Sequence, residues 1–129
     1  MPHVRIEMLK GKSSEYKKTI TDNIHQALVE EFKTPENDRY FKIIEIEKEN
    51  FDHGPRRSDD YLFIEILLFL GRSDDAKKKL YKNINDRLNR NPGINSIDII
   101  IFLNETKLRN WGFGEQAGDE VKLSFNVNV

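Results

Sequence analysis

Ile66-Leu67-Leu68-Phe69-Leu70-Gly71-Arg72-Ser73-Asp74-Asp75-Ala76-Lys77-Lys78 is an apolar run closed by glycine, then serine, then acids, and it repeats a stretch met earlier in the chain. The earlier copy is Ile6-Glu7-Met8-Leu9-Lys10-Gly11-Lys12-Ser13-Ser14-Glu15-Tyr16-Lys17-Lys18. Gly11 falls on Gly71, Ser13 on Ser73, Lys17 on Lys77 and Lys18 on Lys78, all at one offset (71 − 11 = 60). The match continues without a gap through Asn23 and Asn83, Ile24 and Ile84, Leu28 and Leu88. A period this long marks a duplicated supersecondary unit.

Each copy carries a readable plan. A strand runs into glycine, which permits a tight turn, and the serine after it offers an N-cap oxygen. Acids follow in the first helical turn, Glu15 in one copy and Asp74 with Asp75 in the other, where the helix dipole favours them. Tyr16, Ile20, Ile24, Ala27, Leu28 and Phe32 form one apolar stripe at helical spacing; Ala76, Leu80, Ile84 and Leu88 form the other. Each helix ends at a proline-containing break, Thr34-Pro35 or Asn91-Pro92-Gly93, and a strand follows, Tyr40 to Ile46 or Ile97 to Leu103.

Outward from the repeats, the chain reads as a single α/β (α+β) domain over 1–129, with repeat one at about 2–47, repeat two at about 61–104 and a C-terminal hairpin or tail at about 105–129. Parallel strands joined by a helix cross over right-handedly, so the expected form is a four-stranded mixed sheet backed by two helices. The run Leu62–Leu70 and the strand Ile97–Leu103 are nearly continuous in apolar residues, which predicts burial on both faces. Two helices cover one face, and the second face is expected to meet another subunit.

Composition narrows the function classes. Lys and Arg number 21 against 22 Asp and Glu, for a net charge of −1, so no basic field for nucleic acid is offered. The run Lys77-Lys78-Lys79 with Lys82, Arg87 and Arg90 reads as a solvated helix face. There are no cysteines, which removes disulfides, thiolate zinc sites and cysteine nucleophiles and fits a reducing compartment. The opening residues lack the apolar core of a signal peptide, and Leu62–Leu70 falls short of the ~20 residues of a membrane helix. A soluble, cytoplasmic protein with no nucleic-acid or membrane partner is expected.

The catalytic inventory is short. His3, His25 and His53 show no metal-ligand spacing, so no metal and no cofactor are expected. Gly11-Lys12-Ser13 and Gly71-Arg72-Ser73 lack the preceding glycine of a phosphate loop. What remains is Pro2. Removal of Met1 would leave a secondary amine at the start of strand one, and an α-amino group titrates near ~7.7–8.0, where desolvation or a nearby cation makes it a base at neutral pH. With Met1 retained, the Pro2 nitrogen is an amide and has no basic lone pair.

Pro2 at the head of a duplicated β-α-β chain, Glu31-Phe32-Lys33-Thr34-Pro35-Glu36-Asn37-Asp38-Arg39-Tyr40, Arg72-Ser73 and Trp111-Gly112-Phe113-Gly114 together resemble the tautomerase superfamily, whose members act through an amino-terminal proline. Within it the chain is most similar to the malonate semialdehyde decarboxylase group. The resemblance implies a MIF-like fold and a homotrimer with active sites near subunit boundaries. It also implies roles. Pro2 would move a proton to or from substrate carbon, and Asp38 would orient a water or hold a substrate oxygen. Arg72 would grip a substrate carboxylate, while Trp111 and Phe113 would wall the pocket. Each has a structural rival: a turn aspartate, a cation at a helix start (Lys12 holds that place in the first repeat) and an aromatic hairpin that only packs. The group's second arginine lies two residues before Arg72, where this chain has Leu70, also expected at the pocket.

The expected activity is keto-enol isomerisation of a small 2-keto acid. Decarboxylation or hydration by the same residues is the alternative, and a non-catalytic trimeric binding protein is a second. Loss of one carboxylate-binding cation weighs against the decarboxylase more than against the tautomerase.

Overall fold

The duplicated plan is visible strand by strand in a computed structural model, which describes residues 2–129. The fate of Met1 lies outside the described residues. The main elements are β1 (His3–Leu9), α1 (Ser14–Phe32), β2 (Tyr40–Ile46), β3 (Leu62–Phe69), α2 (Asp74–Arg90) and β4 (Ile99–Thr106). A short hairpin of β5 (Gly112–Phe113) and β6 (Gln116–Ala117) follows.

The main sheet runs β2-β1-β3-β4, with β1 parallel to β2, β3 parallel to β4, and β1 antiparallel to β3. It is a four-stranded mixed sheet backed by two helices. Both repeats use one register: His3 pairs with Tyr40 (40 − 3 = 37) and Leu62 with Ile99 (99 − 62 = 37). Arg5 and Glu65, equivalent by the repeat (65 − 5 = 60), pair with each other across β1 and β3, which puts the internal two-fold between them. Each repeat also ends in a single 3-10 turn at the same offset, Lys48–Asn50 and Leu108–Asn110 (108 − 48 = 60).

The capping expected from sequence is present. The Ser13 and Ser73 hydroxyls accept from the backbone N–H of Tyr16 and Ala76, each at 3.1 Å. α1 stops where Lys33 takes the left-handed conformation, φ 57°, and its N–H turns back to the Leu28 carbonyl. The core lies between the helices and one sheet face, with Ile6, Ile20, Ile24, Leu28, Ile64, Ile66, Leu80, Ile84 and Leu88 fully buried.

One expectation is corrected here. The fourth strand begins at Ile99, because Ser96–Asp98 form a 3-10 turn, and it extends to Thr106. The two faces of the apolar runs differ within one chain. Along β3, Leu62, Ile64, Ile66 and Leu68 are buried, whereas Phe63, Glu65 and Leu67 are half-buried on the face without helices. That open face mixes Phe102, which is 48% exposed, with the charges of Arg5, Lys42 and Glu65. Alternation survives inside an apolar run because the pleat sends successive side chains to opposite sides whatever their polarity. No helix is long and apolar enough to cross a membrane among the described residues.

Candidate active site

Pro2 is buried, one residue ahead of β1. At this end of the sheet β1 and β2 begin and β3 ends, so His3, Tyr40 and Leu67 stand in one row across three strands. The His3 ring stacks on Tyr40 at 4.6 Å between centroids and lies 5.5 Å from Trp111. These residues, with Arg5, Arg39, Lys42 and Ile44, line an open cavity of about 700 Å³. Tyr40 also borders a second groove, of about 370 Å³, where Asp38, Phe113 and the tail residues Val121, Leu123 and Phe125 meet.

Asp38 is set by the loop between α1 and β2, two residues before Tyr40. Its N–H donates to the Pro35 carbonyl at 3.0 Å. Buried His25, as its Nε2–H tautomer, donates to the Glu36 carbonyl at 2.8 Å, and Arg39 reaches back to Asp22 and, at 3.3 Å, to Thr21. The loop is thereby tied to α1 on both sides of Asp38. Burial pulls the His3 imidazole below its ordinary value, Asp38 opposes that shift, and Lys42 adds to it. The ring is therefore neutral at neutral pH.

Phe69 is the joint of the other half of the site. It is fully buried. Its ring meets Trp111 edge-on at 5.2 Å and Phe113 at 6.3 Å, and its carbonyl accepts from Nη1 of Arg72 at 2.9 Å. Arg72 is only 5% exposed and lies over the Phe32 ring at 5.2 Å. Its Nε and Nη2, and the indole N–H of Trp111, are buried without a hydrogen-bond partner among the described residues. Desolvation lowers the guanidinium to about 10, so it stays cationic at neutral pH, and Glu105 partly offsets the shift. Two buried donor groups with nothing to donate to face a polar cost of about 1–3 kcal/mol each, which a ligand acceptor would relieve.

Among the residues expected at the site, Trp111 lines the cavity and Asp38 and Phe113 the groove. Pro2 and Arg72 line neither: Pro2 is placed by its neighbour His3, and Arg72 is linked only through Phe69, whose carbonyl it bonds and whose ring meets Trp111 and Phe113. Leu70 does not join them. It is 49% exposed and lines neither the cavity nor the groove, although its N–H continues the sheet to the Thr106 carbonyl at 3.0 Å. His3, Arg39, Tyr40 and Phe69 were not singled out from the sequence. His3 and Tyr40 bore a signal in their place at the two strand starts, whereas Phe69 was indistinguishable within an apolar run.

Comparison with known proteins bears on most of the chain. Two family models, both described as tautomerase enzyme, match, one over residues 38–114 and one over residues 2–61. A probable tautomerase of Bacillus subtilis (strain 168), YusQ, is 32% identical over 120 residues, spanning 88% of this chain and 94% of its own. The crystal structure of malonate semialdehyde decarboxylase, presented as a basis for its decarboxylase and hydratase activities, superposes with a TM-score of 0.79 at 25% identity, covering 91% of this chain and 94% of that one. A fused 4-OT, described as a wild-type asymmetric trimer, shares the fold at a TM-score of 0.80 with 16% identity, over 92% and 97% of the two chains.

Proposed function

This chain belongs to the tautomerase family, and on that premise we propose that it interconverts the keto and enol forms of a small 2-keto acid, with the Pro2 amine as acid and base. The observation that carries the reading is Arg72: a buried cation with two donor nitrogens unmatched among the described residues, bonded to the carbonyl of Phe69, whose ring meets Trp111. A planar guanidinium binds both oxygens of a carboxylate and stabilises enolate charge on the same molecule.

In the reaction, Arg72 holds the substrate carboxylate and Asp38 steers the carbonyl or enol oxygen. Once Met1 is removed, the Pro2 amine takes a proton from the carbon next to the carbonyl and returns it in the reverse direction. An α-amino group titrates near ~7.7–8.0, which leaves part of it as free base at neutral pH. A positioned proton-transfer group contributes ~10²–10⁴-fold, and enolate stabilisation by the buried donors adds to it. No cofactor or metal enters these steps.

A homotrimer fits the open sheet face, where Phe102 and Tyr40 are exposed and Phe63, Leu67 and Ile100 half-buried. Trimeric fused 4-OT chains share this fold and support the assembly. Decarboxylation or hydration of a 3-oxo or unsaturated acid is the second reading, favoured by the likeness to malonate semialdehyde decarboxylase. Leu70, at the place of that group's other arginine, favours isomerisation.

The test is intact-mass analysis before and after treatment with 3-bromopropiolate. A mass lacking Met1, with one adduct localised to Pro2, is expected. Retained Met1 without an adduct, and no turnover of any keto-enol pair, would leave the non-catalytic binding protein standing. Carbon dioxide release from a 3-oxo acid in place of keto-enol exchange would select the decarboxylase.

A further inference from the structure

The C-terminal residues Val127–Val129 lie against the two residues that flank Arg72. The N–H of Ser73 donates to the Val129 carbonyl at 2.9 Å, and the Val129 side chain packs on the edge of the core. On the other flank, a Cβ placed on Gly71 would meet the Val127 carbonyl oxygen at 2.7 Å and the Asn128 Oδ1 at 3.1 Å. Gly71 turns the chain with φ +140°, and Gly11 makes the equivalent turn in the first repeat with φ +124°. Around Gly11, however, a Cβ would meet nothing within 4 Å. The turn needs glycine in both repeats, but only in the second has a returning segment used the space a side chain would fill.

Further back, the same tail supplies Val121, Leu123 and Phe125 to the groove that holds Asp38 and Phe113. One segment therefore lies against both chain neighbours of Arg72 and lines the groove that holds Asp38. Arg72 is 5% exposed, yet its Nε and Nη2 have no partner among the described residues, so the side chain is sealed without being satisfied there. A cation sealed this way is suited to a ligand that arrives after the seal is lifted.

We propose that Val127–Val129 act as a strap over Arg72, which lifts from Gly71 and Ser73 to admit the substrate carboxylate and stays lifted while it is bound. The inference rests on Arg72 as the carboxylate-binding residue. The strap's fastening is light: one backbone hydrogen bond from Ser73 and the contacts of three residues. The Ser73 N–H is not part of the α2 ladder, because Ser73 is the N-cap, so lifting the strap leaves the helix intact. The open form is a minor state, and carboxylate affinity is reduced by the fraction of time the strap is down.

The strap is tested by phenylglyoxal modification of Arg72, read by peptide mass, in the full chain and in a chain ending at Asn126. Val129→Glu, which unseats the tail at full length, serves if the shortened chain folds poorly. Arg72 is expected to react ~10-fold faster or more in either variant, and pyruvate is expected to protect it at a ~10-fold lower concentration than in the full chain. Equal labelling rates, or equal half-protecting concentrations, would overturn the strap. Because labelling is read without turnover, faster labelling with no catalysis on any keto acid sinks the isomerase reading and keeps the strap.

Discussion

Lys12 and Arg72 hold the same place in the two repeats (72 − 12 = 60), and of the two only Lys12 makes an ion pair among the described residues. Its ammonium pairs with Asp60 of the loop ahead of β3, whereas Arg72 is buried and, among the described residues, donates only to the Phe69 carbonyl. Duplication gave both ends of the sheet one frame. At one end the connecting loop closes over the cation with its own carboxylate; at the other Glu105 acts on the cation only through space, without a hydrogen bond to it among the described residues.

Replacing Arg72 by Met should separate stability from activity. Methionine matches the length of the buried stem, removes an unsatisfied charge and is expected to leave the fold unchanged or to stabilise it by about 1–4 kcal/mol. Turnover of the keto acid should fall ~100-fold or more, as a charge-assisted contact to the enolate is lost. Urea unfolding beside a kinetic assay checks both. A variant that unfolds more readily yet turns over normally would make Arg72 a structural cation.

The loop around His53 should loosen as pH rises. The His53 Nδ1 faces the Gly54 carbonyl at 2.7 Å and Nε2 faces Asp59 at 2.9 Å. Both partners are acceptors, so only the imidazolium makes both bonds. Hydrogen bonding to Asp59 raises the His53 pKa above its ordinary 6.5, and His53, followed by Lys48, lowers that of Asp59. A raised pKa contributes stability that is full below the unfolded value and is lost as pH climbs through the folded one. Asp59 sets the acid limit, since its contribution is lost as pH falls through its depressed value. Amide protection factors over residues 53–59, corrected for the intrinsic pH dependence of exchange, should therefore be highest between those two limits, and His53→Gln should flatten the alkaline arm.

Lys33→Gly should stabilise the chain. Lys33 closes α1 at φ 57°, where a side chain costs about 1 kcal/mol and glycine costs nothing. The exposed bond from its Nζ to the Glu30 carbonyl offsets little of that gain. A thermal melt that moves down would show that this bond outweighs the backbone strain.

Phe102→Glu tests the proposed trimer. Phe102 is 48% exposed on the open sheet face and pairs with Glu65 of β3, so a second carboxylate there adds repulsion on a face that must desolvate to assemble. Sedimentation should shift to the monomer with helical circular dichroism unchanged. A trimer that survives the substitution places its interface elsewhere.

The amino-acid sequence by itself determined the duplicated frame. Gly11-Lys12-Ser13 and Gly71-Arg72-Ser73, the acids behind them and the apolar stripes are local or periodic signals, and turns, caps and amphipathic helices are set by neighbours within a few residues. Pro2, Asp38, Arg72, Trp111 and Phe113 were readable as residues, through their resemblance to a family, but not as a place. Tertiary structure alone decided that Phe69 joins Arg72 to Trp111, that Leu70 turns outward, and that the tail returns to Gly71. These facts depend on which side of the pleat a residue faces and on what returns from more than 50 positions away (127 − 71 = 56). An apolar run reads alike at every position, and a chain's return leaves no mark on the local sequence that receives it, except where, as at Gly71, the absence of a side chain makes room for it.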